Sequence, residues 1–395
     1  MQRIGIYGGT FNPPHLGHTC GAQYALEALD LCKLLVIPCC ISPHKKLPKN
    51  SPTPIQRLEM LKLCFQNEGK IEVSDLELKR GSASYTYETV AQVKEQYPEA
   101  EIILFMGTDM FLSFLSWRNP QEILKNASLA VFYRGERNEI SAVAEQKAAL
   151  EEMGARVYLA DNPITTISST DLRRMLIFGC ADKFLPPKVQ EYIRNNNLYE
   201  AQNNLKNLPI DDLQLTVVSL LQPSRVNHVL GCRDAAVRLA KHWGANETDA
   251  ARAALLHDVT KALDGPLQLT LCEAYGIVLD SFSTDNLKTI HALTGSLVAD
   301  RIFGENPAVV SAIRSHTTGK ANMDLLQKII YVADYIEPNR DFPGVQDLRR
   351  LADTDLDRAV KHGLEMTLDM LRWQGKEISR ASIDALAWLE RMIVC

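Results

Sequence analysis

Two histidines three residues apart, His15 and His18, follow a Gly8-Gly9 pair and the proline-stiffened stretch Thr10-Phe11-Asn12-Pro13-Pro14. Glycines let a phosphate come close to the backbone. Two imidazoles on one side of a first helical turn can hydrogen-bond α- and β-phosphates and stabilise the charge that grows as pyrophosphate departs. A second polar run, Ile167-Ser168-Ser169-Thr170-Asp171-Leu172-Arg173, leads three hydroxyls into a helix expected over 171–178. Ser169 or Thr170 can cap that helix while Arg173 faces an anion. Much later come His228, His257-Asp258, His291, His316 and Asp334, each in an apolar helical setting, with Lys261 three residues beyond Asp258. A carboxylate in such a run is costly unless it is paired or metal-bound. Neutral imidazoles with carboxylates suit a borderline divalent metal, which would lower the pKa of a bound water, and two metals could bridge one hydroxide.

The elements that must position these groups differ between the halves. Up to about residue 200, apolar strand candidates at 3–7, 33–38, 71–73, 101–106, 129–133 and 157–159 alternate with helical patterns such as 56–65 and 86–96. That alternation predicts a doubly wound α/β domain. Its first strand, glycine turn and a helix over 16–29 would deliver a helix N-terminus to the carboxyl edge of a parallel sheet, where ligands of such sheets bind. After Tyr199 a polar, proline-ended stretch intervenes, and beyond it only helical periodicity remains. The expected organisation is an α/β domain over 1–200, a linker over 201–212 and an all-α domain over 213–395.

Composition bounds the partners. At 395 residues the chain exceeds one ordinary core, given roughly 100–200 residues per domain. With 46% hydrophobic and 23% charged residues and a net charge of −5, it is not composed as a general nucleic-acid binder, so small anions must be held by local groups. The nine cysteines include no C-x-x-C, which argues against a disulfide framework or a zinc ribbon and fits reduced thiols in a cytoplasm. The N-terminus enters a strand pattern at once, and no apolar run approaches the roughly 18 residues of a membrane span.

The Gly8–His18 segment resembles the nucleotidyltransferase superfamily built on a His-x-Gly-His motif, which also includes class I aminoacyl-tRNA synthetases. Ile167–Arg173 narrows the resemblance to bacterial nicotinate-mononucleotide adenylyltransferases, since a synthetase would be expected to carry a lysine-rich loop instead. Ser42–Lys46, Gln56-Arg57, Ser84–Thr86, Gly107–Asp109, Ser116–Arg118 and Tyr192…Asn197–Tyr199 resemble that family in the same order. Pantetheine-phosphate or glycerol-phosphate nucleotidyltransferases would not be expected to carry the Ser84–Thr86 and Ser116–Arg118 segments. The resemblance implies a Rossmann-like domain that moves AMP from ATP, with Mg²⁺, to nicotinate mononucleotide. It further implies that Gly8, Gly9, Thr10, Phe11, Lys45, Ile167, Ser168, Ser169, Thr170 and Arg173 hold ATP beside His15 and His18. Gly107 and Asp109 would bind its ribose, Trp117 would stack on the pyridine, and Tyr85, Thr86 and the backbone around Arg118 would take the nicotinate.

The second set of residues resembles the HD-domain phosphohydrolases. There His228, His257, Asp258 and Asp334 would hold one metal, and His291 and His316 would allow a second. Arg225–Gly231, His291–Gly295, Arg314–Gly319 and Ala333–Arg340 narrow this to bacterial HD-type symmetrical diadenosine-tetraphosphate hydrolases, with iron as the implied metal. Lys261 is expected to act in catalysis and, with Arg314 and Arg340, on the polyphosphate. The alternatives are a noncatalytic nucleotide-binding or dimerising module and an HD domain acting on another nucleotide. A homo-oligomer is compatible with the sequence.

Overall fold

In the computed structural model, residues 2–43, 47, 48, 50–133, 139–160, 167–200 and 204–394 are described. They form two compact units, 1–202 and 203–395. The first contains a six-stranded sheet of β1 (Arg3–Gly9), β2 (Lys33–Pro38), β3 (Ile71–Val73), β4 (Glu101–Gly107), β5 (Ser128–Phe132) and β6 (Val157–Ala160). The strand order is β3-β2-β1-β4-β5-β6 with every pairing parallel. Parallel strands are covered on both faces, which is why they are continuously apolar rather than alternating. Along β4, Ile102, Leu104 and Met106 join one buried cluster and Ile103 and Phe105 join another, as the two-residue period of a strand requires.

The order reverses between β1 and β4, and the two strands run side by side with Tyr7 opposite Phe105. Their carboxyl ends therefore bring Gly8-Gly9 and Gly107 to one edge of the sheet, at the switch point where ligands of this architecture bind. The helix Leu16–Ala28 starts there, with His15 as its N-cap residue. The helix Ser169–Ile177 begins two residues earlier than the sequence suggested. Its cap is Ser168 rather than Ser169 or Thr170, because Ser168 is the residue with extended backbone, and its Oγ accepts from Asp171 N–H at 3.1 Å.

The second unit is helical throughout its described residues. Its first helix, Ile210–Leu220, starts inside the stretch expected to be linker. Pro209 precedes it, and Asp211 and Asp212 favour the positive end of a helix in its first turn. Asn246, Asn306, Asp324 and Asp355 cap the helices Glu247–Leu256, Pro307–Ser315, Leu325–Ile336 and Leu356–Trp373 through their side chains. Residues before the first helix pack within this unit, where Arg252 grips Leu208 O at 2.8 Å and the Glu305 carboxylate at 2.6 and 2.7 Å. None of the described helices is long and apolar enough to cross a membrane.

Candidate functional site

At the carboxyl edge of the sheet lies a cleft of about 640 Å³. Gly8, Gly9, Thr10, Phe11, His18, Gly107 and Asp109 line it together with Ser168, Ser169, Thr170 and Arg173, and Thr86 and Trp117 line it as well. A neighbouring recess of about 280 Å³ includes His15 and Ile167 beside Tyr24, Phe105 and Phe132. The recess and the cleft share Tyr7, His18, Phe105, Met106, Gly107, Ser168 and Ser169. Tyr85 and Arg118 are not in either lining, and the Arg118 guanidinium lies over the Tyr85 ring at 4.5 Å. Lys45 lies outside the described residues.

The histidine pair is held tightly, with ring centroids 3.7 Å apart. Backbone N–H of His15 donates to His18 Nδ1 at 3.1 Å, so a neutral His18 ring carries its proton on Nε2 and offers a donor to an anion. The segment around Asn12 is braced from Ile167–Arg173: Arg173 donates to Asn12 O at 2.8 Å and to Ser169 O at 3.1 Å, and Ser169 Oγ donates to Pro13 O at 3.2 Å. Two segments far apart in sequence thereby form one wall. Burial lowers the Arg173 pKa from its usual value, yet the group stays far above neutrality as guanidinium does.

Several contributors carried no role in the sequence reading. Arg57, wholly buried, donates to Thr10 O at 2.7 Å and Cys39 O at 2.6 Å, fixing the turn after β1 against the end of β2. Glu77 lines the cleft, accepts from Thr89 Oγ1 at 2.6 Å, and has its pKa raised by burial against the pull of Ser84 and Thr89. Arg57 falls in a segment of the family resemblance, but the burial of neither residue has a local sequence signal, since a charged residue in an amphipathic helix usually faces water.

In the second unit the six expected ligands meet in one buried cluster. His228 Nε2 lies 3.2 Å from Asp334 Oδ1 and 3.8 Å from Asp258 Oδ2, and His257 Nε2 lies 3.6 Å from Asp258 Oδ2. His291 Nε2 and His316 Nε2 approach Asp258 Oδ1 at 3.3 and 3.9 Å. Donor atoms of His228, His257 and Asp334, and again of His257, Asp258 and His316, fall within 4.8 Å of one another.

The rings present the correct tautomer for coordination. His257 and His316 end their helices, and their Nδ1 atoms sit 2.7 Å from Ala254 O and Ile313 O, carbonyls of the last helical turn. A carbonyl only accepts, so Nδ1 carries the proton and Nε2 turns its lone pair inward. His291 does the same through Lys288 O at 2.8 Å. His257 Nε2 is buried without a hydrogen-bond partner among the described residues, an arrangement that costs free energy unless a further partner binds there.

Electrostatics favour the ligand states. Burial, reinforced by the neighbouring His316, pushes His291 down to about 3. Burial, reinforced by His257, pushes His316 down to about 4, so both are neutral at pH 7. Burial opposes ionisation of Asp258, but His257 and Lys261 hold it well below the usual carboxylate range. Asp334 is likewise held low against burial by His228 and Arg340. His228 runs the other way: burial pulls its pKa down, but Asp334 and Glu337 raise it above its usual value. Four imidazole nitrogens with two carboxylates are a donor set that fits a first-row divalent metal.

Cations ring the cluster. Arg340 Nη2 lies 2.6 Å from Asp334 Oδ1, Lys261 Nζ lies 2.9 Å from His291 Nε2, and Arg225 Nη2, which the sequence reading did not single out, lies 3.2 Å from Asp258 Oδ2. Arg225 and His228 lie three residues apart, as do Asp334 and Glu337, a helical neighbour spacing that could have flagged Arg225 and Glu337. Arg314 is exposed and makes no hydrogen bond or ion pair with the cluster among the described residues.

The parallel sheet and the cleft at its carboxyl edge define a nucleotidyltransferase of the cytidylyltransferase-like class, whose family model matches residues 6–175, and the histidine-aspartate cluster defines an HD domain, whose model matches residues 225–339. Through its first half the chain belongs to the nicotinate-nucleotide adenylyltransferase family. A probable nicotinate-nucleotide adenylyltransferase of Borrelia garinii subsp. bavariensis is 35% identical over 205 residues, covering 52% of this chain and 98% of that protein. One of Flavobacterium johnsoniae is 36% identical over 203 residues, covering 50% and 100%. For the other half, a crystal structure of a predicted HD superfamily hydrolase involved in NAD metabolism from Clostridium acetobutylicum is 35% identical, covering 47% of this chain and 98% of that one with a TM-score of 0.46.

Proposed function

We propose that the chain is a bifunctional enzyme. Its first unit transfers the adenylyl group of ATP to nicotinate mononucleotide, giving nicotinic acid adenine dinucleotide and pyrophosphate. Its second unit hydrolyses diadenosine tetraphosphate symmetrically to two ADP at a metal centre.

For the transferase, the observation that carries the reading is one cleft lined by two chemically distinct sets of residues. Gly8–His18 and Ile167–Arg173 offer backbone N–H, hydroxyl and guanidinium donors for phosphates, while Trp117 and Thr86 offer a stacking face and a hydroxyl. The acceptor's phosphate oxygen attacks the α-phosphorus, the bond to the β-phosphate oxygen breaks, and pyrophosphate leaves with no bond to the protein. His18 Nε2–H, His15 and Arg173 stabilise the departing charge, and Lys45 meets the triphosphate. Gly107 and Asp109 hold the ribose hydroxyls, and Tyr85, Thr86 and the backbone around Arg118 take the nicotinate carboxylate. Mg²⁺ bound to ATP spreads the negative charge of the triphosphate.

For the hydrolase, the carrying observation is the convergence of imidazole Nε2 atoms on Asp258 and Asp334 inside a ring of cations. His228, His257, Asp258 and Asp334 would hold one metal and His291 and His316 a second, with iron the proposed ion. Such a metal, when bound, supplies a hydroxide-like water at neutral pH. Lys261 and Arg340 lie where they can grip and orient a polyphosphate.

The full chain tests both halves. With Mg-ATP it should convert nicotinate mononucleotide to the dinucleotide, and turnover of another acceptor alone would overturn the first assignment. Loaded with iron, it should release ADP as the sole product of diadenosine tetraphosphate, and no metal-dependent release would sink the second.

A further inference from the structure

Glu337 is buried to 1% exposure, directly after the helix Leu325–Ile336 that carries Asp334. Its two carboxylate oxygens face different partners. Oε1 lies 3.1 Å from His228 Nδ1. Oε2 accepts from Asn339 N at 2.7 Å and from Asn339 Nδ2 at 2.9 Å. The Glu337 backbone carbonyl accepts from Arg340 N at 3.0 Å, and Arg349 clasps the same short turn by donating to the carbonyls of Ile336, Glu337 and Arg340 at 3.0 to 3.1 Å. That turn aims Arg340, whose guanidinium reaches Asp334 Oδ1.

The other three histidines of the cluster anchor Nδ1 on a backbone carbonyl, which cannot be changed by a side-chain substitution. His228 alone uses a carboxylate. A carboxylate accepts, so Glu337 can hold the proton on His228 Nδ1, which leaves Nε2, facing the Asp334 carboxylate at 3.2 Å, to share a metal with it. The sequence makes room for this arrangement. Gly231 sits mid-helix, where glycine is unfavourable, and a Cβ there would lie 2.6 Å from Glu337 Oε2 and 3.2 Å from Asn339 Nδ2.

Resting on the reading of the second unit as a metal-dependent hydrolase, we propose that Glu337 is a positioning residue with two outputs. Through Oε1 it sets the tautomer and angle of His228 for the metal, and through Oε2 it holds the 337–340 turn that presents Arg340 to the polyphosphate. Gly231 is the clearance that lets it do both.

The test uses the full chain loaded with cobalt(II), whose visible spectrum reports ligand geometry, and a competing chelator that reads affinity. Glu337→Gln retains an acceptor but loses the charge, and should weaken cobalt binding about tenfold or more, within the 10- to 100-fold range for residues that orient ligands. Gly231→Ala touches no ligand. It should reproduce that loss and alter the cobalt spectrum, although alanine at an unencumbered helix position would stabilise the fold. In both variants the KM for diadenosine tetraphosphate, measured at saturating metal, should rise above that of the wild type. Two variants with wild-type cobalt affinity and spectrum would overturn the inference, and so would a Gly231→Ala protein that is merely more stable. If the wild type itself took up no metal, the hydrolase reading would be the one to fall.

Discussion

Tyr199, buried and in left-handed backbone at φ 60° and ψ 22°, donates its hydroxyl to Asn12 Oδ1 at 2.8 Å. Asn12 is thus held from two directions, its side chain by Tyr199 and its carbonyl by Arg173. The loop ahead of His15 and His18 owes its position to residues that the chain adds more than 150 positions later.

Tyr199→Phe keeps the ring and removes one buried hydrogen bond. Leaving Asn12 Oδ1 without that donor should cost about 1–3 kcal/mol. The first unit should unfold at lower denaturant, and kcat/KM for adenylyl transfer should fall because the histidine loop loosens. An unchanged midpoint with unchanged kinetics would show that the bond does not hold the loop.

Trp117→Ala separates the two sets of residues that line the cleft. Loss of base stacking costs roughly 1–3 kcal/mol. The KM for nicotinate mononucleotide should therefore rise about tenfold while the KM for ATP changes little. A rise in the ATP KM of the same size would assign Trp117 to ATP instead.

His257→Ala removes a candidate donor atom shared by both groupings in the cluster. Metal content measured after dialysis should drop, and ADP release from diadenosine tetraphosphate should become undetectable. Adenylyl transfer should persist, since its groups all lie in the other unit. Equal loss of both activities would mean that the two units do not work independently.

Glu101 gives a pH dependence. It accepts from Ser128 and Arg156 at 3.0 Å, Tyr158 at 2.9 Å and Arg3 at 3.1 Å, tying β4 to β1, β5 and β6. Burial alone would raise its pKa, but Tyr158, Ser128, Arg156 and Arg3 together hold it below 4.5. A depressed folded pKa stabilises above the unfolded value and is lost as pH falls through the folded one. Glu101→Gln should thus destabilise the first unit at pH 7, with the gap to wild type shrinking below about pH 4. A gap that stayed constant down to pH 3 would assign the effect to packing rather than charge.

The apolar strand runs were legible because a parallel strand buried on both faces must be apolar along its length, as Leu34–Ile37 and Ile102–Met106 are. His257-Asp258-x-x-Lys261 was legible because its groups are neighbours in sequence. The boundary at Ile210 was less so, since polar residues before a helix serve equally as loop or as first turn.

What the sequence determined by itself was therefore local: strand periodicity, the turn after β1, and six side chains of metal-binding type. Tertiary structure alone decided which carboxylates serve the histidines, that Arg57 spends its charge on Thr10 and Cys39 carbonyls inside the core, and that Glu337 rather than a backbone carbonyl orients His228. The reason is physical. A side chain's type is written at its position, but its desolvation and its partner depend on which distant segment folds against it.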